Sequence, residues 1–185
     1  MKVQVIEYPL EKDWQMVYNI CRSTMRKLPD EQYTPEFIST LKVSNTWKEK
    51  LLEARHSPIR RLYFTILYQD VPHWVHVHLV RHHIGNDWYV TTSRNDRQHE
   101  FDRNKATQDH PTTLIYHGNA ESLINIIQKR LCNVVSKETR ELAELTVKEI
   151  LKTNPEFAKV LVKPCEYNRG ICHELKSCGY FQKVR

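Results

Sequence analysis

The sequence predicts an α+β fold in which helices surround a small antiparallel sheet. Two apolar runs rich in β-forming residues, 62–68 and 74–80, follow one another across the short segment Gln69–Pro72. Such closely spaced runs are typical of adjacent antiparallel strands. Amphipathic helical patterns stand before and after these two runs, and the order helices, strands, helices is typical of the α+β class.

Length and composition indicate one domain of ordinary globular type. The chain has 185 residues, of which 40% are hydrophobic and 27% are charged, which is enough for a sizeable core. No apolar run approaches the length of a membrane span and the N-terminus has no signal-peptide pattern, so we expect a cytoplasmic protein with no membrane partner. The net charge of +6 favours anionic partners such as nucleotides or phosphorylated cofactors.

The first half of the chain contains a short strand and several helices. Val3 begins an alternation of apolar and polar residues that predicts a first strand. Apolar residues recur at three- and four-residue steps over 13–27, which predicts a helix. Thr34 and Pro35 have the pattern of a helix start, with a threonine N-cap and a proline in the first turn. A further amphipathic helix is predicted to end near Ala54.

The second half is predicted to be a loop-rich stretch followed by two helices. Residues 88–92 are expected to form a third strand or an extended loop. Residues 94–111 are charged and almost without apolar side chains, which predicts a long exposed loop. A helical pattern begins at Asn119, and Ser136 is predicted to cap a second helix that ends at Asn154.

A cluster of cationic and titratable side chains follows the second predicted strand. Arg81, His82 and His83 stand in a row where the apolar run 74–80 ends. Arginine presents a fixed fork of N–H donors that suits phosphate, and histidine donates or accepts near neutral pH. Functional side chains are concentrated at such element ends, so this is the candidate functional centre.

This cluster resembles the signature of the flavin-dependent thymidylate synthases of the ThyX type. That signature reads Arg-His-Arg, seven residues, then Ser. Here Arg81 and His82 match, His83 stands in place of the second arginine, and the nearest serine is Ser93, which requires an insertion of two residues.

Other segments resemble the same family in the same order. The stretch 56–58 is similar to the family's His-Glu-x-Pro, and Asn125 and Arg130 match an Asn–Arg pair on a helix. The stretch 137–143 resembles Gln-Trp-Glu-Ile-Arg, with the glutamate and the arginine retained. The resemblance covers about residues 1–158 in order.

The resemblance implies an FAD-dependent methyltransferase. Members of that family convert dUMP to dTMP with methylenetetrahydrofolate and reduced nicotinamide (NADPH), and are homotetramers with flavin sites between subunits. Four residues would bind FAD: His56, Arg81, His82 and Asn125. Substrate would be bound by His83, Ser93, Arg94 and Arg130, with Ser93 and Arg130 catalytic. An arginine beside the uracil ring would favour the negative charge that makes C5 nucleophilic.

Two alternatives remain open at the level of function. The chain departs from the family pattern at His78, His83 and Val90-Thr91, where the family has Gln, Arg and Asn-Glu. A diverged relative would modify another pyrimidine nucleotide at C5. A module that kept the fold without catalysis would bind a nucleotide or nucleic acid. Basic residues are spread along the chain and not striped, so nucleic-acid binding through Trp88, Tyr89 and Tyr116 is the less favoured partner.

The C-terminal segment has its own pattern of cysteines. We assign residues 1–160 to the thymidylate synthase-like domain and 161–185 to a tail. Four tail residues match the ligand set of a structural zinc site: Cys165, Cys172, His173 and Cys178. The alternative is that the thiols are free, since the number of cysteines is odd and the spacing fits no standard zinc motif. A metal pair at His76 and His78, on one face of the predicted strand, is a further alternative.

Overall fold

The computed structural model describes residues 1–94, 96–97 and 101–184. In this part of the chain four strands form one antiparallel sheet in the order β1-β2-β4-β3. The strands are β1 (Lys2–Glu7), β2 (Tyr63–Pro72), β3 (Asn86–Val90) and β4 (Pro111–Asn119). The helices are α1 (Glu11–Met25), α2 (Pro35–Ser39), α3 (Asn45–Glu53), α4 (His73–Val80), α5 (Ala120–Leu131), α6 (Lys137–Thr153), α7 (Pro164–Tyr167) and α8 (Tyr180–Val184). The predicted α+β class is confirmed.

One face of the sheet carries the core. In β2 and β4 every second side chain is buried, and the register places Ile66 opposite Tyr116. The apolar faces of α5 and α6 complete the same core, with Leu123 and Ile150 fully buried. The other face of β2 and β4 is half-buried. This alternation is the period-two pattern of a sheet that packs on one side only.

The helix starts follow from local capping. The side chains of Thr34, Ser44, Asn119 and Ser136 accept hydrogen bonds from backbone N–H groups of the first turns of α2, α3, α5 and α6. These bonds satisfy donors that a helix leaves unpaired at its N-terminus. The predictions of β1, of these helices and of the cap residues Thr34 and Ser136 are confirmed.

The prediction of a strand over 74–80 is wrong, because this run is helix α4. Its β-forming composition is overridden by tertiary contacts: Val75, His76 and Leu79 are buried against the rest of the fold. The predicted hairpin with 62–68 is therefore wrong as well. The predicted turn at 69–72 belongs to β2, which continues to Pro72 through a bulge. Arg81 caps the end of a helix, not of a strand.

Sequence analysis also missed the central strand of the sheet. The predicted loop 94–111 ended one residue into β4, and residues 112–118 had been given no structure. They are the centre of the sheet, paired on one side with β2 and on the other with β3. The loop itself is irregular over its described residues, and Asn95 and 98–100 lie outside them. Of the alternatives for 88–92, the strand is correct as far as Val90.

None of the described helices is long and apolar enough to cross a membrane. The boundary between a domain 1–160 and a tail 161–185 stays a prediction. Leu161 belongs to the same buried cluster as the sheet residues, and α7 packs near α5.

Candidate active site

A cavity of about 540 Å³ lies where α4 ends and α5 begins. The turn after α4 lines one side, and the first two turns of α5 line the other. Its volume is within the range of small-molecule and cofactor sites. The lining residues that carry polar side chains are Arg60, Arg81, His82, His83, Asn119, Glu121, Ser122 and Asn125. Three of the four residues predicted to bind FAD therefore come together here.

The turn that places these residues depends on one glycine. Gly85 has a φ of +77°, and its carbonyl accepts a hydrogen bond of 3.0 Å from the backbone N–H of Asn119. A Cβ at this position would lie 2.7 Å from Nδ2 of Asn119. Asn119 caps α5 through its side chain, which accepts from the N–H of Ser122. The glycine thus permits both the left-handed turn and the close approach of this turn to Asn119, the N-cap of α5.

His82 is fixed in one tautomer by Arg130. A guanidinium nitrogen of Arg130 lies 2.8 Å from His82 Nε2 and 2.6 Å from the carbonyl oxygen of His78. Arginine only donates, so Nε2 of His82 must accept and the ring proton is on Nδ1. Burial lowers the pKa of His82, and the positive charges of Arg130 and Lys129 lower it further. A neutral ring is therefore held at the cavity with Nδ1–H as its donor.

Arg130 itself does not line the cavity. Its guanidinium lies behind His82, and its pKa is lowered by burial and by the neighbouring charge of Arg81. Its buried Nε has no hydrogen-bond partner among the described residues. In this arrangement Arg130 positions His82 and the end of α4 directly, whereas its predicted contact with a uracil ring stays a prediction.

The remaining lining residues give the cavity a surplus of donors. Arg60 pairs with Glu121, at 2.5 Å between Nε and a carboxylate oxygen. The side chain of Arg81 is exposed at the cavity. Nδ1 of His83 lies 3.1 Å from the carbonyl oxygen of Arg81, so the ring donates there. With two guanidinium groups and one carboxylate, the site favours an anionic ligand rich in acceptors.

This donor set fits the phosphates and ring carbonyls of FAD. Arg81 would hold a phosphate, while His82 Nδ1–H and the Asn125 amide would donate to carbonyl oxygens. Asn86, beside the cavity, donates to Ser122 Oγ at 2.6 Å, and its buried Oδ1 has no partner among the described residues. An unpaired buried acceptor of this kind is costly unless a ligand or water donates to it.

The other predicted site residues lie apart from the cavity in one chain. His56 is exposed and precedes the 3-10 turn Ser57–Arg61, which carries Arg60 to the cavity. Ser93 and Arg94 follow β3, whose other end lies at the cavity. The two ends of β3, Asn86 and Val90, are roughly 13 Å apart along the strand, and Ser93 and Arg94 lie beyond the Val90 end. Both carboxylate oxygens of Asp96 accept hydrogen bonds from exposed Arg94, at 2.9 and 2.6 Å.

The predicted zinc ligands do not converge. Cys165, Cys172, His173 and Cys178 line a second cavity of about 250 Å³, between α5 and the tail. No three histidine, cysteine or acidic side chains of the described residues are placed so that they could share a metal ion. The five cysteines are free, and burial raises the pKa of Cys165. Zinc binding and the alternative of free thiols both stay predictions.

Two further alternatives from the sequence are also corrected. His76 is buried in a helix and bonded to Thr112 at 3.0 Å, so it does not share a strand face with His78. Tyr116 is fully buried, and the indole N–H of Trp88 donates to the carbonyl of His82 at 2.9 Å. Tyr116 is therefore part of the core and cannot stack on nucleic-acid bases, and partly buried Trp88 packs against it.

No protein-family model matches the chain, and no curated protein sequence matches it. Solved structures do. The chain is similar to the flavin-dependent thymidylate synthase ThyX from Helicobacter pylori complexed with FAD and dUMP, with 16% identity, 88% of this chain and 100% of the other covered, and a TM-score of 0.65. The fold is that of the flavin-dependent thymidylate synthases.

Two more structures support the same fold. A second structure of the Helicobacter pylori ThyX with FAD and dUMP has 18% identity and a TM-score of 0.63, covering 87% of this chain and 99% of the other. The UMP/dUMP methylase PolB from Streptomyces cacaoi bound with 5-Br dUMP has 14% identity and a TM-score of 0.59, covering 88% and 97%. Sequence identities this low support a shared fold and do not transfer the roles of individual residues.

Sequence analysis missed two residues of the site. Arg60 lines the cavity, and Arg55 contacts Asn125 from behind, with 3.2 Å between Nη1 and Oδ1. Both lie near the predicted residue His56 in the sequence. The cluster of arginines around His56 is the feature from which an anion-binding role could have been predicted. Their partners are more than 60 positions away, so only the fold brings them to α5.

Proposed function

We propose that this protein is an FAD-dependent enzyme that methylates dUMP at C5 to give dTMP, with methylenetetrahydrofolate as carbon donor and NADPH as reductant. The observation that carries the proposal is the cavity at which Arg81, His82 and Asn125 meet on the fold of the flavin-dependent thymidylate synthases. FAD, when bound, supplies the hydride that completes the methyl group.

The residues of this chain would bind and orient the cofactor and polarise the pyrimidine ring. Arg81 and Arg60 provide positive charge for the cofactor phosphates. His82, neutral and held by Arg130, donates from one fixed position. Since Arg130 is partly buried beside that ring, its charge would favour electron density on a pyrimidine bound nearby, which is the role the sequence implies for it.

The nucleotide phosphate would be bound by a second subunit. Ser93 and Arg94 follow the end of β3 that is away from the cavity, and the family resemblance implies homotetramers with sites between subunits. Binding of phosphate would replace the exposed Asp96 partner of Arg94. Because Ser93, Arg94 and His83 are on or near the surface, they are accessible to a neighbouring copy.

A second candidate function is methylation of a different pyrimidine nucleotide, such as UMP. It is favoured by the likeness to a UMP/dUMP methylase and by His83, where an imidazole stands in place of the family's second signature arginine. The two candidates share the cavity and differ in the sugar that they accept.

The test is release of tritium from C5-labelled dUMP and UMP by the FAD-loaded protein, with and without methylenetetrahydrofolate. Folate-dependent release from dUMP supports the proposal, and release from UMP alone selects the second candidate. Release from neither, by a protein that binds FAD, would contradict both.

Arg81 provides the matched binding test. Arg81→Ala should weaken FAD binding by about 1.5–3 kcal/mol, because a charged hydrogen bond to the cofactor is lost. Fluorescence quenching of FAD measures the affinity. Arg26→Ala, which removes an exposed arginine at the distant end of α1, is the control for the change in net charge and should leave the affinity unchanged.

A further inference from the structure

An arginine outside the cavity contacts one of its lining residues. Arg55 Nη1 lies 3.2 Å from Asn125 Oδ1, and Arg55 Nη2 lies 3.0 Å from Gln128 Oε1. Asn125 and Gln128 stand three residues apart on α5, so one guanidinium fork holds two neighbouring amides. Gln128 in turn donates from Nε2 to the carbonyl of Val160 at 2.9 Å.

These contacts decide which way the Asn125 amide faces. Because a guanidinium has no acceptor, it can bind only the oxygen of the amide. The NH₂ group of Asn125 then keeps both donors, and no described residue accepts from them. Asn125 is exposed and lines the cavity beside α4 as well as the second cavity beside the tail, so its NH₂ is accessible to a ligand.

Arg55 holds an unfavourable backbone conformation in order to stand there. Its φ is +54°, in the left-handed region where glycine or asparagine normally follows a helix. This conformation is unfavourable for any residue that has a Cβ atom, because the Cβ lies too close to a backbone carbonyl oxygen. Strain of this kind is characteristic of functional positions, and here the side chain it carries is the one that reaches Asn125.

The C-terminal segment supports the same arginine. The guanidinium carbon of Arg55 lies 5.2 Å from the ring centre of Tyr167, a cation–π contact. The hydroxyl of Tyr167 donates to the carbonyl of Glu53 at 2.5 Å, which satisfies a backbone acceptor at the end of α3. Tyr167 therefore holds both the turn and the side chain of Arg55.

We infer that Arg55 is a positioning residue for the cofactor, that it orients the Asn125 amide with its NH₂ toward the cavity, and that Tyr167 of the C-terminal segment holds Arg55 in place. This inference rests on the proposed function, in that the ligand of the Asn125 donor is taken to be FAD. It makes the tail part of the site, whereas the sequence alone suggested a separable segment.

The expected loss of FAD affinity follows from the number of Asn125 side-chain conformers that Arg55 excludes. On a helix a released Asn125 side chain would sample two χ1 wells, because the g+ well is rare there, and two amide orientations, so roughly one conformer in four would be competent. The apparent dissociation constant rises by the reciprocal of that fraction, or about four-fold. Arg55→Gly is the variant of choice, because glycine accepts the left-handed backbone and only the side chain is lost.

The first measurement needs no ligand. In the ligand-free protein the side-chain NH₂ signals of Asn125, assigned by their loss in Asn125→Asp, should shift in Arg55→Gly and in Tyr167→Ala. Arg22→Ala is the matched control, since Arg22 also bonds an asparagine and a glutamine oxygen and stacks on a ring, Phe37, far from the cavity. It should leave those signals in place. Unmoved signals in Arg55→Gly would overturn the inference, whatever the protein binds.

The second measurement is FAD affinity in a double-mutant cycle. Arg55→Gly should raise the dissociation constant about four-fold in the wild-type background and leave it unchanged in the Asn125→Ala background, because Arg55 acts through Asn125. Equal effects in both backgrounds would show a general structural role and overturn the inference. Absence of FAD binding in the wild type, with NMR signals that shift as expected, would instead contradict the proposed function.

Discussion

His82 shows how one neighbour sets the chemistry of a side chain. Burial and the charge of Arg130 both lower its pKa, and the Arg130 contact also fixes the tautomer. Replacing Arg130 with glutamine keeps a donor for Nε2 and removes the charge, so the pKa of His82 should rise toward its ordinary value of about 6.5. NMR titration of the imidazole signals measures it. Lys129→Gln removes a weaker contributor and should shift the pKa less. A titration midpoint unchanged in Arg130→Gln would show that burial alone is responsible.

A comparison of alanine substitutions at Gly85 and Gly179 distinguishes the cost of backbone strain from the cost of steric contact. Both have positive φ, +77° and +72°, but an added Cβ meets Asn119 at 2.7 Å in the first case and nothing within 4 Å in the second. Gly179→Ala should cost about 1 kcal/mol of the free energy of unfolding, from the left-handed backbone alone. Gly85→Ala should cost more, roughly 2–3 kcal/mol, because the turn and the Asn119 side chain must also move apart. Urea denaturation of both variants tests the difference, and equal costs would mean that the Asn119 contact yields without strain.

Elements were predictable from sequence where their pattern was local. The caps of α2 and α6 and the amphipathic faces of α5 and α6 could be read directly, because these signals act within a few residues. Helix α4 could not be, since Trp74 to Val80 has the composition of a strand and becomes helical through contacts with β2, β4 and α6. The β4 strand was missed because a long polar loop precedes it and hides its start. Arg81 and His82 line the cavity, even though the element before them was predicted to be a strand and is a helix.

Helix α4 also contains a buried histidine whose pKa is well below its ordinary value. Burial, together with smaller contributions from the charges of His73 and His110, lowers the pKa of His76 to about 4. Thr112 donates its hydroxyl proton to the carbonyl of Val71, so it must accept from His76 Nδ1–H. A folded pKa below the unfolded value of about 6.5 stabilises the fold above pH 6.5, and that contribution is lost as the pH falls from 6.5 to about 4.

His76→Asn tests this contribution, because the asparagine amide can keep the donor to Thr112 and cannot gain a proton. The wild type should lose at most about 3 kcal/mol of unfolding free energy between pH 6.5 and pH 4 through this group. The variant should lose correspondingly less. Urea midpoints across this pH range provide the measurement, and His173→Asn, at an exposed position, is the control. Parallel pH profiles for wild type and His76→Asn would show that other groups dominate acid unfolding.

At the scale of the whole molecule, the fold divides the predicted site into two halves. One half is the cavity with Arg81, His82 and Asn125, and the other is the surface after β3 with Ser93 and Arg94. Sequence analysis assigned all of these residues to one site, because a sequence motif gives the order of residues along the chain and does not give the distances between them. Ser93 and Arg94 follow the end of β3 that is away from the cavity, and in the proposed function a second subunit brings the two halves together.

Subunit complementation tests that division. Arg81→Ala disables the cavity half and Arg94→Ala disables the surface half, so each variant alone should lose folate-dependent tritium release from dUMP. In mixed oligomers, formed by refolding equal amounts together, a site is intact when its cavity comes from the Arg94 variant and its surface from the Arg81 variant. Random assembly gives about one quarter of such sites, so roughly a quarter of the wild-type activity should return. Mixing the two folded proteins without subunit exchange is the control. If refolded mixtures stay inactive while refolded wild type recovers, both halves serve one site within a single chain, and the loop after β3 must reach the cavity by a rearrangement of its own subunit.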